Sequence, residues 1–214
     1  MPRPVRTLGY AGALAALRSV PWHLASAVTP IFPMGHEALE FFPGQRGYSG
    51  EQFPSGGVMI VANNFDCLGG WSTYRDDLNY APKSPTWKRM RNILVPASGI
   101  PLATFWFTNY CHGVMDSRDD DGNPDPCYSF PPQICKALEF RRVFEDCVFA
   151  MKPKVIVALG GDAAGHLKFN RGEAEHRIIG GHPTKVLAAY HTSARGTLEK
   201  FHADGARIRR AYYS

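Results

Sequence analysis

The stretch Val58-Met59-Ile60-Val61-Ala62, preceded by Gly56-Gly57 and followed by Asn63-Asn64, decides the fold. Five apolar residues in succession, three of them β-branched, without polar alternation, suit a strand buried on both faces, as strands of parallel sheets are. Similar runs follow. Ala103-Thr104-Phe105-Trp106-Phe107-Thr108 ends at Asn109, Lys154 to Leu159 runs into Gly160-Gly161-Asp162, and Lys185 to Tyr190 ends at His191. Helical signals lie between and after them. Ser84-Pro85-Thr86 resembles a helix start, with Trp87, Met90, Ile93 and Leu94 on one apolar face. A longer helix is expected from Pro132 to Met151, with Ile134, Leu138, Val143 and Phe144 inward, and a short one after Gly161. A last helix over Gly196 to Tyr212 carries Arg207, Arg209 and Arg210 near its end. Strands alternating with helices imply right-handed crossovers. The expected architecture is an α/β fold, a three-layer α/β/α sandwich around a mostly parallel four-stranded sheet.

The 214 residues, 44% hydrophobic, suffice for one domain over 1–214. Residues 58–214 form its α/β core, and 1–57 supply a small amphipathic helix near Gly9 to Leu17 and a Pro- and Gly-rich wrapping segment. The formal charge of +5 is mild and favours a polyanionic partner only if gathered on one face. Five cysteines without C-x-x-C spacing point to reduced thiols in a cytoplasmic protein, with no metal and no cofactor expected. Arg18 interrupts the signal-like run after Arg3 and Arg6, and no apolar run reaches the roughly 20 residues of a membrane span. Aligning Gly122 with the glycine of a calcium loop puts Ser117 at the first ligand position and Tyr128 where glutamate is required, so the Asp116 to Gly122 segment reads as a solvated loop. Neither the H-x-E and P-C-x-x-C pair of zinc deaminases nor a phosphate-binding G-x-G-x-x-G is present.

Open α/β sheets bind ligands just outside the carboxyl ends of their strands. Asn64, Asn109 and His191 end three of the runs, so two amides and an imidazole are expected to face one small guest. His182 precedes the last run and belongs at the opposite end of the sheet.

The segment Leu187-Ala188-Ala189-Tyr190-His191-Thr192-Ser193-Ala194-Arg195 resembles the uracil-DNA glycosylase superfamily, in which a strand ends in histidine, Pro-Ser and a residue that wedges into DNA. Thr192 stands where the family has proline. The resemblance extends to Val155-Ile156-Val157-Ala158-Leu159-Gly160, to Phe107-Thr108-Asn109 and to Val61-Ala62-Asn63-Asn64, in the family's order, and covers about residues 55–212. It implies a monomeric, monofunctional glycosylase without lyase activity that flips uracil from duplex or single-stranded DNA and hydrolyses the N-glycosidic bond. Asn109 would pair with O4 and N3–H of uracil, and His191 would donate to O2 of the leaving base. Asn64 falls on the water-handling position, where an amide orients water without accepting its proton, and Asp66 is the nearby carboxylate. Phe65, Trp71, Tyr74 and Tyr80 are candidates to stack on the base. Arg195 would fill the duplex, with Thr192, Ser193, Ser84, Thr86, Gly160 and Gly161 near phosphates. The same residues leave open a non-catalytic binder of uracil or abasic DNA, and a nucleoside- or nucleotide-acting enzyme.

Overall fold

A computed structural model of the chain describes residues 8–24, 28–30, 55–63, 85–115, 130–191 and 198–214. In chain order they form α1 (Gly9–Arg18), a 3-10 turn (Trp22–Leu24), β1 (Val28–Pro30), β2 (Val58–Ala62), α2 (Pro85–Arg89), α3 (Val95–Ser98) and β3 (Phe105–Asn109). Then come β4 (Gly113–Met115), α4 (Pro132–Ala137), α5 (Phe140–Met151), β5 (Val155–Leu159), α6 (Gly161–Leu167), β6 (Glu175–Ile179), β7 (His182–Ala189) and α7 (Leu198–Tyr213).

The main sheet has the order β3-β2-β5-β7-β6. The first four strands are parallel and β6 is antiparallel on the outer edge. All residues of β2, β3 and β5 are buried, as their unbroken apolar runs require. One face packs Met59, Val61, Trp106, Ile156 and Ala158 with α1 and α5 through Leu17, Phe140, Phe144 and Met151. The other packs Ile60, Phe107, Val157 and Leu187 with Leu94, Val95 and, from α7, Ile208. Each such fully buried side chain contributes about 1.5–3 kcal/mol, so the sheet is held from both sides. The result is an α/β fold with helices on either face of a mostly parallel sheet. Among the described residues, β1 pairs with β4 in a separate antiparallel ribbon, and no helix is long and apolar enough to cross a membrane.

Five strands stand where four are expected. β6 alternates between half-buried and exposed positions, with Glu175, His176 and Arg177 in its first half, so it lacks the apolar run that marks the others. Its signal is the turn: Gly180 and Gly181 have φ of 59° and 86°, the left-handed pair that a two-residue hairpin requires. β7 accordingly begins at His182, three residues before Lys185. His182 lies inside the strand rather than before it, yet at its amino end, with Nε2 3.1 Å from the Pro153 carbonyl. β3 begins at Phe105 because Leu102–Thr104 form a 3-10 turn.

The helix expected over Pro132 to Met151 is two, because Glu139 adopts φ 51° and restarts the chain as α5. Between α2 and α3 the turn Met90–Leu94 is π-helical, and Val95 N–H reaches back five residues to the Met90 carbonyl. Pro96 follows at once and has no N–H to offer, which removes the next ordinary helical bond.

Gly205 is where α7 crosses α3. A methyl there would stand 2.5 Å from Ala97 Cβ and 2.9 Å from the Leu94 carbonyl oxygen. Alanine gains about 1 kcal/mol of helix propensity over glycine, whereas overpacking costs about 1–3 kcal/mol, and much of the obstruction is backbone. Gly205→Ala is therefore expected to lower the urea midpoint. A midpoint equal to or above that of the parent would show that α3 and α7 do not meet this closely.

Candidate active site

The four parallel strands end nearly level. Ala62 lies opposite Asn109, and Leu159 opposite Ala189. From β2 the chain moves outward to β3, and from β5 it moves outward to β7 on the other side. Strand order thus reverses between β2 and β5, the position where open α/β sheets form a crevice beyond their carboxyl ends. Asn109 and His191 flank it from β3 and from just past β7.

Asn109 is 3% exposed. The ladder continues past it, with Tyr110 N–H donating to Ala62 O and Cys111 N–H to Asn63 O, both at 2.8 Å. Alternation places its side chain on the face of Phe105 and Phe107. Its carboxamide makes no hydrogen bond to another described residue.

His191 is half-buried and lies against Gly160. A methyl on Gly160 would stand 3.0 Å from His191 Cβ and 3.3 Å from Cδ2, and Gly160 also has φ 89°. Only glycine fits the turn from β5 into α6 and leaves this space for the ring. Gly161, in contrast, has nothing within 4 Å of such a methyl. Burial lowers the His191 pKa below its ordinary value of 6.5, with Asp162 pulling the other way, which favours the neutral imidazole at pH 7.

The backbone leading to His191 is clamped from α7. Tyr190 N–H donates to Asp204 Oδ2 at 2.8 Å, Arg207 Nη1 to Asp204 Oδ1 at 2.7 Å, and Arg207 Nη2 to the Ala188 carbonyl at 2.7 Å. Asp204 is 1% exposed. Burial raises its pKa, and the Tyr190 N–H and Arg207 oppose this. Removing one partner of such a buried pair costs about 3–5 kcal/mol, so strand end and helix hold each other in place. Beside them, Arg171 and Lys200 lie 4.6 Å and 4.9 Å from the ring centre of Tyr190. Both cations are exposed.

Compared with protein-family models the chain matches none, and a search of curated proteins returns no significant match.

Of the residues singled out from sequence, Asn109, Gly160, Gly161 and His191 therefore meet at this edge, and Thr86 lies in the first turn of α2. Asn64, Phe65, Asp66, Trp71, Tyr74, Tyr80, Ser84, Thr192, Ser193 and Arg195 lie outside the described residues. Sequence reading missed Asp204, Arg171 and Lys200, and named Arg207 only as a basic residue near the end of the last helix. The Asp204–Arg207 spacing of three on one helix was visible, but its target, the end of β7, was not. It also missed a cluster of Cys111, Cys135 and His166, which come from three elements and share no short spacing.

The Gly160–His191 contact and the lowered pKa give one linked expectation. Well above pH 6.5 this histidine is largely neutral in both the folded and the unfolded chain. As pH falls through the window between that value and the lower folded pKa, the unfolded chain takes up the proton first and His191 ceases to favour folding. An NMR titration of the His191 ring is expected to show a midpoint below 6.5 that moves up toward it in Gly160→Ala, where the ring is displaced outward. An unchanged midpoint would mean that Gly160 does not set the position of His191.

Proposed function

We propose that this protein is a monofunctional DNA glycosylase that excises uracil by hydrolysis of its N-glycosidic bond. What supports the proposal is that a buried carboxamide, Asn109, ends β3 and an imidazole, His191, follows β7, on either side of the strand-order reversal. Three interstrand steps of about 4.8 Å separate their strands, roughly 14 Å in all. That span suits two inward-reaching side chains, one planar ring and a hydrogen bond of about 3 Å at each end.

The chemistry follows from the groups. The Asn109 amide donates to O4 of an extruded uracil and accepts from N3–H, whereas cytosine presents the reverse order and leaves both unpaired. When the C1′–N1 bond breaks, its electron pair passes into the base, largely onto O2, and the sugar becomes oxocarbenium-like. The neutral His191 donates its N–H to O2 as that charge develops. Water adds at C1′, oriented by Asn64 with Asp66 as the nearest carboxylate in sequence to take its proton. Among Phe65, Trp71, Tyr74 and Tyr80, one ring covers the base, while Arg195 fills the gap in the stack. Thr192 and Ser193, with Ser84, Thr86 and the Gly161 N–H at the start of α6, contact phosphates, whereas the Gly160 N–H is already taken by the Ala189 carbonyl at 2.9 Å. Arg171 and Lys200 add two exposed cations next to the His191 strand, where a polyanion would pass.

The amide at Asn64 favours a second reading, the same site holding uracil or abasic DNA without turnover. The two separate in one assay. A uracil-containing oligonucleotide incubated with the protein and then treated with alkali is expected to break at the uracil. His191→Ala is expected to slow this about 100- to 1000-fold, the value of a donor aimed at developing charge, and Asn109→Ala about 10- to 100-fold. Salt-sensitive binding without release of the base would select the binder. No cleavage above the His191→Ala control and no preference for uracil-containing DNA would reject both.

A further inference from the structure

We propose that Cys111, Cys135 and His166 form a binding site for a single thiophilic divalent cation, zinc by its chemistry, that ties together three segments beneath the carboxyl edge of the sheet. This inference stands apart from the glycosylase reading and needs no part of it.

The ligand atoms of the three side chains all lie within 4.8 Å of one another. The two sulfurs are 3.7 Å apart. A tetrahedral ion with zinc–sulfur bonds of about 2.3 Å holds two thiolates about 3.8 Å apart, because the edge of a tetrahedron is about 1.63 times its centre-to-corner distance. The observed separation, at which the two thiols can share a hydrogen bond, also matches that of two ligands on one ion. Thiolates bound to different irons of a cluster would stand farther apart, and a disulfide, at about 2.05 Å, would require them to close by more than an ångström.

The surroundings fit the charge. Cys111 and Cys135 are 0% and 6% exposed and belong to an apolar cluster that includes Phe130, Leu138 and Phe140. Two bare thiolates would be costly there, whereas two thiolates on a divalent cation sum to zero. His166 is half-buried on α6 with its ring stacked on Tyr110 at 5.0 Å and 12°. On binding, both thiols lose their protons to solvent, the neutral imidazole coordinates through a ring nitrogen, and the fourth tetrahedral position is left to water.

The topology says what such an ion would do. Cys111 follows Asn109 by two residues, Cys135 lies in α4, and His166 lies in α6, the helix that starts at the Gly160 turn under His191. One ion would cross-link the segments that carry both flanks of the crevice. Cys147 serves as a control, because its thiol is directed elsewhere, toward the Ala13 carbonyl.

The test uses the full chain, reduced and metal-free, titrated with cobalt and zinc. Expected are one cobalt per chain with a thiolate-to-cobalt charge-transfer band and the visible bands of a tetrahedral ion, displacement of both by zinc, and a rise in melting temperature on loading. Loss of a partner that only supports a ligand weakens metal binding about 10- to 100-fold. Cys135→Ser and His166→Ala are therefore expected to weaken zinc binding by more than about tenfold, and Cys147→Ala to leave it unchanged. Should Cys135→Ser not fold, the parent spectrum and the exposed-side His166→Ala variant still decide. No charge-transfer band in the folded parent, a Cys111–Cys135 disulfide persisting under reductant, iron with acid-labile sulfide, or undiminished binding in His166→Ala would each overturn the proposal.

Discussion

A parallel sheet buried on both faces can present polar chemistry only at its ends, and that constraint governs the rest of this molecule. β2, β3 and β5 contain almost nothing but apolar side chains, and helices cover both sides of them. The level register of four strands then gathers the first polar residues beyond each run along one edge. Asn109 and His191 share that edge because each follows a buried apolar run, with two strands between theirs.

Position along that edge is set by rigid neighbours. Gly160 removes a side chain so that the His191 ring can lie against the β5-to-α6 turn. Asp204 and Arg207 grip the backbone on both sides of Ala189, so the strand end is fixed before any ligand arrives. On the other flank, hydrogen bonds from Tyr110 and Cys111 to the β2 segment carry the pairing past Asn109. Groups held in this way have little conformational entropy left to lose.

Much of this was legible in the chain. Unbroken apolar runs revealed the four parallel strands because burial on both faces erases alternation, and the ends of two runs placed Asn109 and His191 at the carboxyl edge. β6 was not legible, since an edge strand needs only one apolar side and Glu175-His176-Arg177 resembles a loop. The break at Glu139 was hidden too, because the apolar spacing of α4 and α5 continues across it while only the backbone changes. The Cys111, Cys135 and His166 cluster lay beyond sequence reading for a different reason: the packing of two helices against the segment after β3, not spacing along the chain, brings its members together.

The central claim, that Asn109 and His191 address one small planar ligand from opposite sides, is tested most directly by titrating free uracil into isotope-labelled protein and following both side chains by NMR. The expected result is that the Asn109 amide and the His191 ring resonances shift along a single saturation curve, with cytosine displacing neither. Response of one side chain without the other, or two different saturation curves, would contradict a shared site.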